Sequence, residues 1–173
     1  MLDCLYQIAK DFQTLIVGML GFTGVIYTLY TNARLAREQH TRNVAHEREV
    51  LIKALRAELG LIKKSFSGKS ISLEADREHA DAFFPEETHT KVYHAFISKL
   101  GLLSPEQASA VIVAYTLVLE VPTRLRLLSS GHDLSFDKPG YIFIQGKYGK
   151  AATGIYEAFL PAIEEALYKL EGS

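Results

Sequence analysis

Cysteine occurs once, at Cys4. One thiol cannot close an internal disulfide, so no oxidised framework organises the chain. Cys4 lacks the apolar leader that precedes a bacterial lipidation cysteine. Palmitoylation beside a membrane segment would be its sharper use, and a passive boundary residue is the expectation. Charge is missing over a longer region: Phe12 to Thr31 is 20 residues without Asp, Glu, Lys or Arg, and Gln13 is its only amide. Proline is missing from the segment that follows, Asn32 to Lys64, which has Gly60 as its only glycine. The first absence removes the polar face that a soluble helix would show. The second leaves nothing to interrupt a helix running onward from it.

A helix of 20 residues rises about 30 Å, the thickness of a bilayer's hydrocarbon core. Lys10 and Asp11 bound the apolar run on one side, and Asn32 and Arg34 on the other. Tyr6 and Phe12 near one end and Tyr27 and Tyr30 at the other suit the headgroup layer. A signal peptide would need a cationic start, whereas Asp3 precedes the lone Lys10, and no Ala-x-Ala-type site follows. The expectation is a single uncleaved transmembrane helix at residues 12–31. One Lys precedes it, and Arg34, Arg37, Arg42 and Arg48 follow it closely. The side richer in Lys and Arg stays cytoplasmic, which places residues 1–11 outside and the rest inside. Within the span, Thr14, Gly18, Gly21 and Thr28 fall near one face, where small residues let two helices approach in lipid. Glycine is also common in membrane helices for no such reason.

The formal net charge of −1 conceals an asymmetry. Residues 32–64 hold eight Lys/Arg against four Glu, and residues 65–173 hold ten against fourteen acids. A basic segment beside a membrane favours anionic lipid, with Arg34, Arg37, Arg42 and Arg48 as its surface residues. Nucleic-acid binding is not expected, because no aromatic lies between Arg34 and Lys64 to stack a base. The plainer reading is a solvated helix of mixed charge.

From Arg37 to Glu49 only Val44 and Ala45 are apolar, so residues 32–50 read as a helical stalk. A stripe then begins: Leu51, Leu55, Leu59, Ile62 and Phe66, at spacings of 4, 4, 3 and 4, which must be buried on something. A cytoplasmic helical domain is therefore expected over residues 51–173. Ser65 to Glu87 is the least regular stretch, with a short helix between Leu73 and Phe84 expected to stop at Pro85. Val92, Phe96, Leu100 and Leu103 give the next apolar face, and Gly101 is expected to be the left-handed residue past its end. Ser104-Pro105-Glu106-Gln107 is a helix start, with Ser104 capping and Gln107 completing a capping box. The helix after it carries 13 uncharged residues from Gln107 to Leu119, too few to span a bilayer and expected to be buried on most sides. Pro122 is expected to kink or break it. Asp137-Lys138-Pro139-Gly140 reads as a turn of type II composition, with Leu134–Phe136 and Tyr141–Ile144 as a minor β-hairpin across it. A closing helix from about Lys150 to Leu170 shows Ile155, Phe159, Ile163, Leu167 and Leu170 on one stripe, with Pro161 bending it. The fold class is all-α: a membrane helix, a stalk and a small bundle with that hairpin.

Candidate chemistry is sparse. Ser67-Gly68-Lys69-Ser70 resembles the end of a phosphate loop, but the required earlier glycine is Lys63 and no strand precedes it. Gly146 to Gly154 could offer amides to an anion, though a flexible start to a helix explains its glycines. His89 and His94 are five apart, on different helix faces, and no His-Glu-x-x-His or cysteine partner accompanies them. No metal or other cofactor is expected, nor is there a nucleophile elbow.

The combination of Phe12–Leu29 with the Asn32–Gln39 start of the stalk, then "VYHAFISKLGLLSPEQASAVIVAY" and a closing amphipathic helix resembles short, uncharacterised bacterial single-span membrane proteins. The resemblance implies a bacterial inner membrane and supplies no activity. Pro122 and Tyr141–Ile144 have no counterpart in it. Two functions are compatible with these readings. One is a membrane-anchored interaction or scaffold protein with a protein partner or a second copy of itself. The other is a membrane-acting effector or sensor, as in a defence system, that oligomerises through its span. An enzyme with an unrecognised site is the weakest alternative.

Overall fold

The computed structural model describes residues 2–75, 81–129 and 138–172. Four helices and one two-stranded sheet make up the described chain. Helix α1 runs Leu2–Ala75, strand β1 Ala82–Pro85, helix α2 Lys91–Phe96, helix α3 Pro105–Ser129, strand β2 Tyr141–Ile144 and helix α4 Gly149–Glu171. Short 3-10 turns at Ile97–Leu102 and Gly146–Tyr148 lead into α3 and α4. Two compact units divide within α1, after His46. The first unit is helix alone, and the second holds every other element.

In the second unit, the stripe on α1 is buried throughout: Leu51, Leu55 and Leu59 are wholly enclosed, with Ile62 and Phe66 beside them. They meet Val111, Ala114, Val118, Val121 and Leu125 of α3 and Ala152, Tyr156, Phe159, Ile163, Ala166 and Leu170 of α4 in one core. On α4 the buried apolar positions recur at spacings of 4, 3, 4, 3 and 4 from Ala152. That seam is turned from the expected one, because Ile155 and Leu167 are only half-buried while two alanines let the helix sit close. Pro122 does not break α3 and Pro161 lies inside α4. Beyond Pro122, Leu125 is buried and Arg124 and Arg126 stay exposed.

Four expectations need correction. α3 is not buried on most sides, since Ile112, Val113, Thr116 and Leu119 are exposed. Gly101 lies within a 3-10 turn with no positive φ, so the chain passes from α2 to α3 without a left-handed stop. The segment expected as a helix up to Phe84 is in part a strand: α1 ends at Ala75 and Ala82–Pro85 is extended. Residues 76–80 between them lie outside the described residues. The strand at Tyr141–Ile144 is present, but its described partner is β1, antiparallel, with Phe83 opposite Phe143 and Phe84 opposite Ile142. Leu134–Phe136, the expected partner, lie outside the described residues.

The sheet survives with two strands because it leans on the helices. Phe84 is buried with its ring 6.0 Å from that of Tyr156, which also meets Phe66 edge-on at 4.9 Å. Phe83 points the other way, 5.2 Å from Phe143. The turn before β2 is framed by Lys138 and Tyr141, whose N–H donates to the Lys138 carbonyl at 3.0 Å. Pro139 and Gly140 hold its centre, one residue later than expected, and Gly140 takes φ +76°, as the third position of a type II turn requires.

The buried stripe makes a direct test. The fragment 47–173 is expected to fold alone, and Leu55→Asp should abolish its cooperative melt, since an unpaired charge would enter a closed core. Leu61→Asp, on the exposed side of the same helix, should stay within about 0.5 kcal/mol of the parent. Equal melting of both variants by circular dichroism would show that α1 is not part of the core.

Candidate functional site: an exposed apolar helix and two polar hubs

The apolar stretch of α1 shows its side chains on every side. From Leu15 to Tyr30, its large apolar residues are between 46% and 71% exposed. It is long and apolar enough to cross a membrane. Two of its hydroxyls bond within the helix: Thr28 donates to the Gly24 carbonyl and Thr31 to the Tyr27 carbonyl, each at 2.8 Å. A low-dielectric surrounding would demand that, because nothing outside could accept those protons. Gly18, Gly21 and Thr28 share one face within roughly 80° of arc at 100° per residue. A methyl group built at Gly18 or Gly21 would meet nothing within 4 Å, so the face is open. The Thr14 side chain lies outside the described residues.

The four arginines expected at the membrane surface divide. Arg34 pairs with Glu38 at 2.9 Å one turn on, both largely exposed, a pair worth under about 1 kcal/mol. Arg37 and Arg42 are exposed. Arg48 is half-buried in the globular unit and donates to Gln107 Oε1 at 3.3 Å, so its charge is engaged there.

That glutamine is one of two polar hubs. Ser104 N–H donates to Gln107 Oε1 at 3.1 Å and Gln107 N–H donates to Ser104 Oγ at 3.3 Å, closing the capping box at the start of α3. Gln107 Nε2 also donates to the Lys169 carbonyl at 3.0 Å, satisfying an otherwise orphan group in the last turn of α4.

The second hub is Glu58, only 7% exposed. Its Oε1 accepts the Val92 N–H at 2.8 Å, and its Oε2 accepts the Tyr93 N–H at 2.9 Å and the Tyr115 hydroxyl at 2.7 Å. Thr90, at the N-terminal boundary of α2, makes no side-chain capping bond, so the carboxylate from α1 does that work. Tyr93 stacks on Tyr115, ring centres 4.1 Å apart and 12° from parallel. Burial, then the bond to Glu58, pushes the Tyr115 phenol far above its ordinary range, and burial does the same to Tyr156. Neither phenol supplies a phenolate at neutral pH. Glu58 escaped the sequence reading although it lies seven residues after Leu51, two turns along the same face.

Other sequence candidates have settled roles. Ser67 to Ser70 lie inside α1, where a helical backbone cannot cradle a phosphate. The Gly146 N–H is occupied at 2.8 Å by the protein's own Asp81 Oδ1. His89 and His94 are exposed, and among the described residues no group of three or more His, Cys, Asp or Glu is placed to hold a metal. A groove of about 520 Å³ between α1 and α4 is lined by Lys53, Arg56, Lys63, Glu164, Tyr168 and Glu171, among others. The ion pairs Arg56–Glu171 and Lys63–Glu164, at 2.8 and 2.9 Å, bridge its two walls. Comparison with known proteins finds no matching family model, no matching curated protein and no matching solved structure.

Glu58→Gln presents an amide that cannot accept all three donors. It should destabilise the unit by about 2–3 kcal/mol, the cost of a buried donor left unpaired. Tyr115→Phe should cost somewhat less, and the double variant should cost less than the sum. Urea denaturation gives all three values. An unchanged midpoint for Glu58→Gln would show that α2 is held by other means.

Proposed function

We propose that the chain is a single-pass membrane protein that presents its globular unit as an interaction module. The observation that carries the reading is the stretch from Leu15 to Tyr30, apolar and exposed all round on a helix long enough to cross a bilayer. Water is a poor solvent for such a surface and a bilayer a good one: at about 25 cal/mol per Å², covering it is worth many kcal/mol. The N-terminus lies outside and the globular unit in the cytoplasm, with the bacterial inner membrane as the setting. Arg34, Arg37 and Arg42 meet anionic lipid on the inner side. The face of Gly18, Gly21 and Thr28 is where a second span would approach, which makes the protein an oligomer. The globular unit has no reaction assigned to it. Its buried polar groups, Glu58, Tyr115 and Gln107, are spent on joining its own helices.

A cytoplasm-active reporter fused after Ser173 and a periplasm-active one fused before Met1 should both be active in bacteria. The chain should also stay with the membrane pellet after carbonate extraction. Release into the supernatant would remove the anchor, and a periplasm-active C-terminal fusion would invert the orientation.

A further inference from the structure

Helix α1 leaves its apolar run at Thr31, and the arginines beyond that point do not share one face. At 100° per residue, Tyr30, Arg34 and Arg37 fall within about 60° of arc. A hollow of about 240 Å³ on that face is lined by Tyr30, Ala33, Arg34, Arg37 and Glu38. Ala33 is its smallest wall, so a small group can come close to the helix there. Arg42 is turned about 110° from the middle of this face and does not line the hollow.

The charges around the hollow do not cancel. Glu38 takes the Nε–H of Arg34 at 2.9 Å, while the two outer nitrogens of that guanidinium keep their donors. Arg37 is exposed and forms no ion pair among the described residues. Two arginines and one glutamate leave the hollow with a net charge of +1.

Height along the helix decides what such a hollow meets. Counted from Thr31, Arg34 stands about 4.5 Å beyond the apolar run, Arg37 about 9 Å and Arg42 about 16.5 Å. The headgroup layer of a bilayer is about 5–8 Å deep on each side. Helical side chains lean toward the N-terminus of their helix, which here is toward the apolar run. Arg34 and Arg37 therefore bring both guanidinium groups to the depth of a lipid phosphate. Tyr30 sets its ring at the top of an acyl chain, and Arg42 stays above the layer.

We propose that this hollow is the site of one monoanionic glycerophospholipid, its phosphate held by Arg34 and Arg37 above Tyr30. A net charge of +1 matches a headgroup of charge −1, and two planar guanidinium groups suit the oxygens of a phosphate. A headgroup ending in an ammonium fits worse, because both arginines repel it while Glu38 is engaged by Arg34. Arg42 adds only general attraction to the surface, weakened by its distance. The face lies about 170° around the helix from that of Gly18, Gly21 and Thr28, so a bound lipid and a second span do not compete. The inference deepens the membrane reading and rests on it.

The chain has no tryptophan, so Ile26→Trp, one turn before Tyr30 on the same side of the helix, gives a single fluorescent reporter. The full chain is placed in phosphatidylcholine vesicles containing brominated lipid, whose bromines quench a neighbouring indole. Brominated phosphatidylglycerol should show an apparent affinity at least about five-fold above that of brominated phosphatidylcholine. Arg37→Gln should bring the two within about two-fold of each other, and Arg42→Gln should leave the preference as in the parent. No preference for phosphatidylglycerol, an equal preference for phosphatidylethanolamine, or equal loss in both variants would overturn the proposal. Loss of the preference on adding millimolar inorganic phosphate at constant ionic strength would also overturn it, since a soluble phosphate would then be the ligand. Brominated phosphatidylcholine keeps the two readings apart. If it quenches the reporter and phosphatidylglycerol is not preferred, the lipid site falls alone. If no brominated lipid quenches the reporter, the anchor falls and takes the site with it.

Discussion

The globular unit depends on the burial of the Glu58 carboxylate. Three donors from two other elements converge on it: two amides from the first turn of α2 and the phenol of Tyr115 on α3. A buried carboxylate is costly unless its lone pairs are occupied, and here the occupants come from parts of the chain 34 to 57 residues away. The constraint is mutual. A helix of six residues such as α2 is marginal by itself, and its first amides would be orphaned without an acceptor from outside. Glu58 supplies that acceptor, and the stacked rings of Tyr93 and Tyr115 keep water from it.

The same logic recurs wherever an element ends inside the unit. Gln107 joins the start of α3 to the end of α4, and Asp81 joins the start of β1 to the turn before α4. Among the described residues no buried side-chain polar atom lacks a partner. The apolar part of α1 follows the opposite rule. Its Thr28 and Thr31 hydroxyls bond to carbonyls within the helix itself. One stretch of helix is apolar and exposed all round, and the later stretch is held by other elements.

Periodicity made the helices legible, and charge conventions hid the hub. Leu51, Leu55, Leu59, Ile62 and Phe66 could be read as a buried stripe because their spacing is helical and their side chains are apolar. Glu58 sits on the same arc, but a carboxylate is ordinarily assigned to solvent. Only the position of its donors, dozens of residues away, explains its burial. The seam of α4 was misplaced for a related reason, since Ala152 and Ala166 carry little apolar signal although they are wholly enclosed. Strand β1 was missed because four residues, Ala-Phe-Phe-Pro, are too few to establish a period of two. Its partner lies beyond α3, where local sequence gives no hint of it. The membrane-length helix was legible from composition alone, and the exposed neutral face of α3 was not, because in sequence it looks like more core.

Native-state hydrogen exchange at two amides tests the central role of Glu58 most directly. Val92 and Tyr93 stand in the first turn of a short helix, where amides ordinarily exchange fast for want of an acceptor. With Glu58 holding them, both should exchange only through global unfolding, with the same opening free energy as the slowest amides of α3. Exchange orders of magnitude faster, at the rate of an open first turn, would contradict the account.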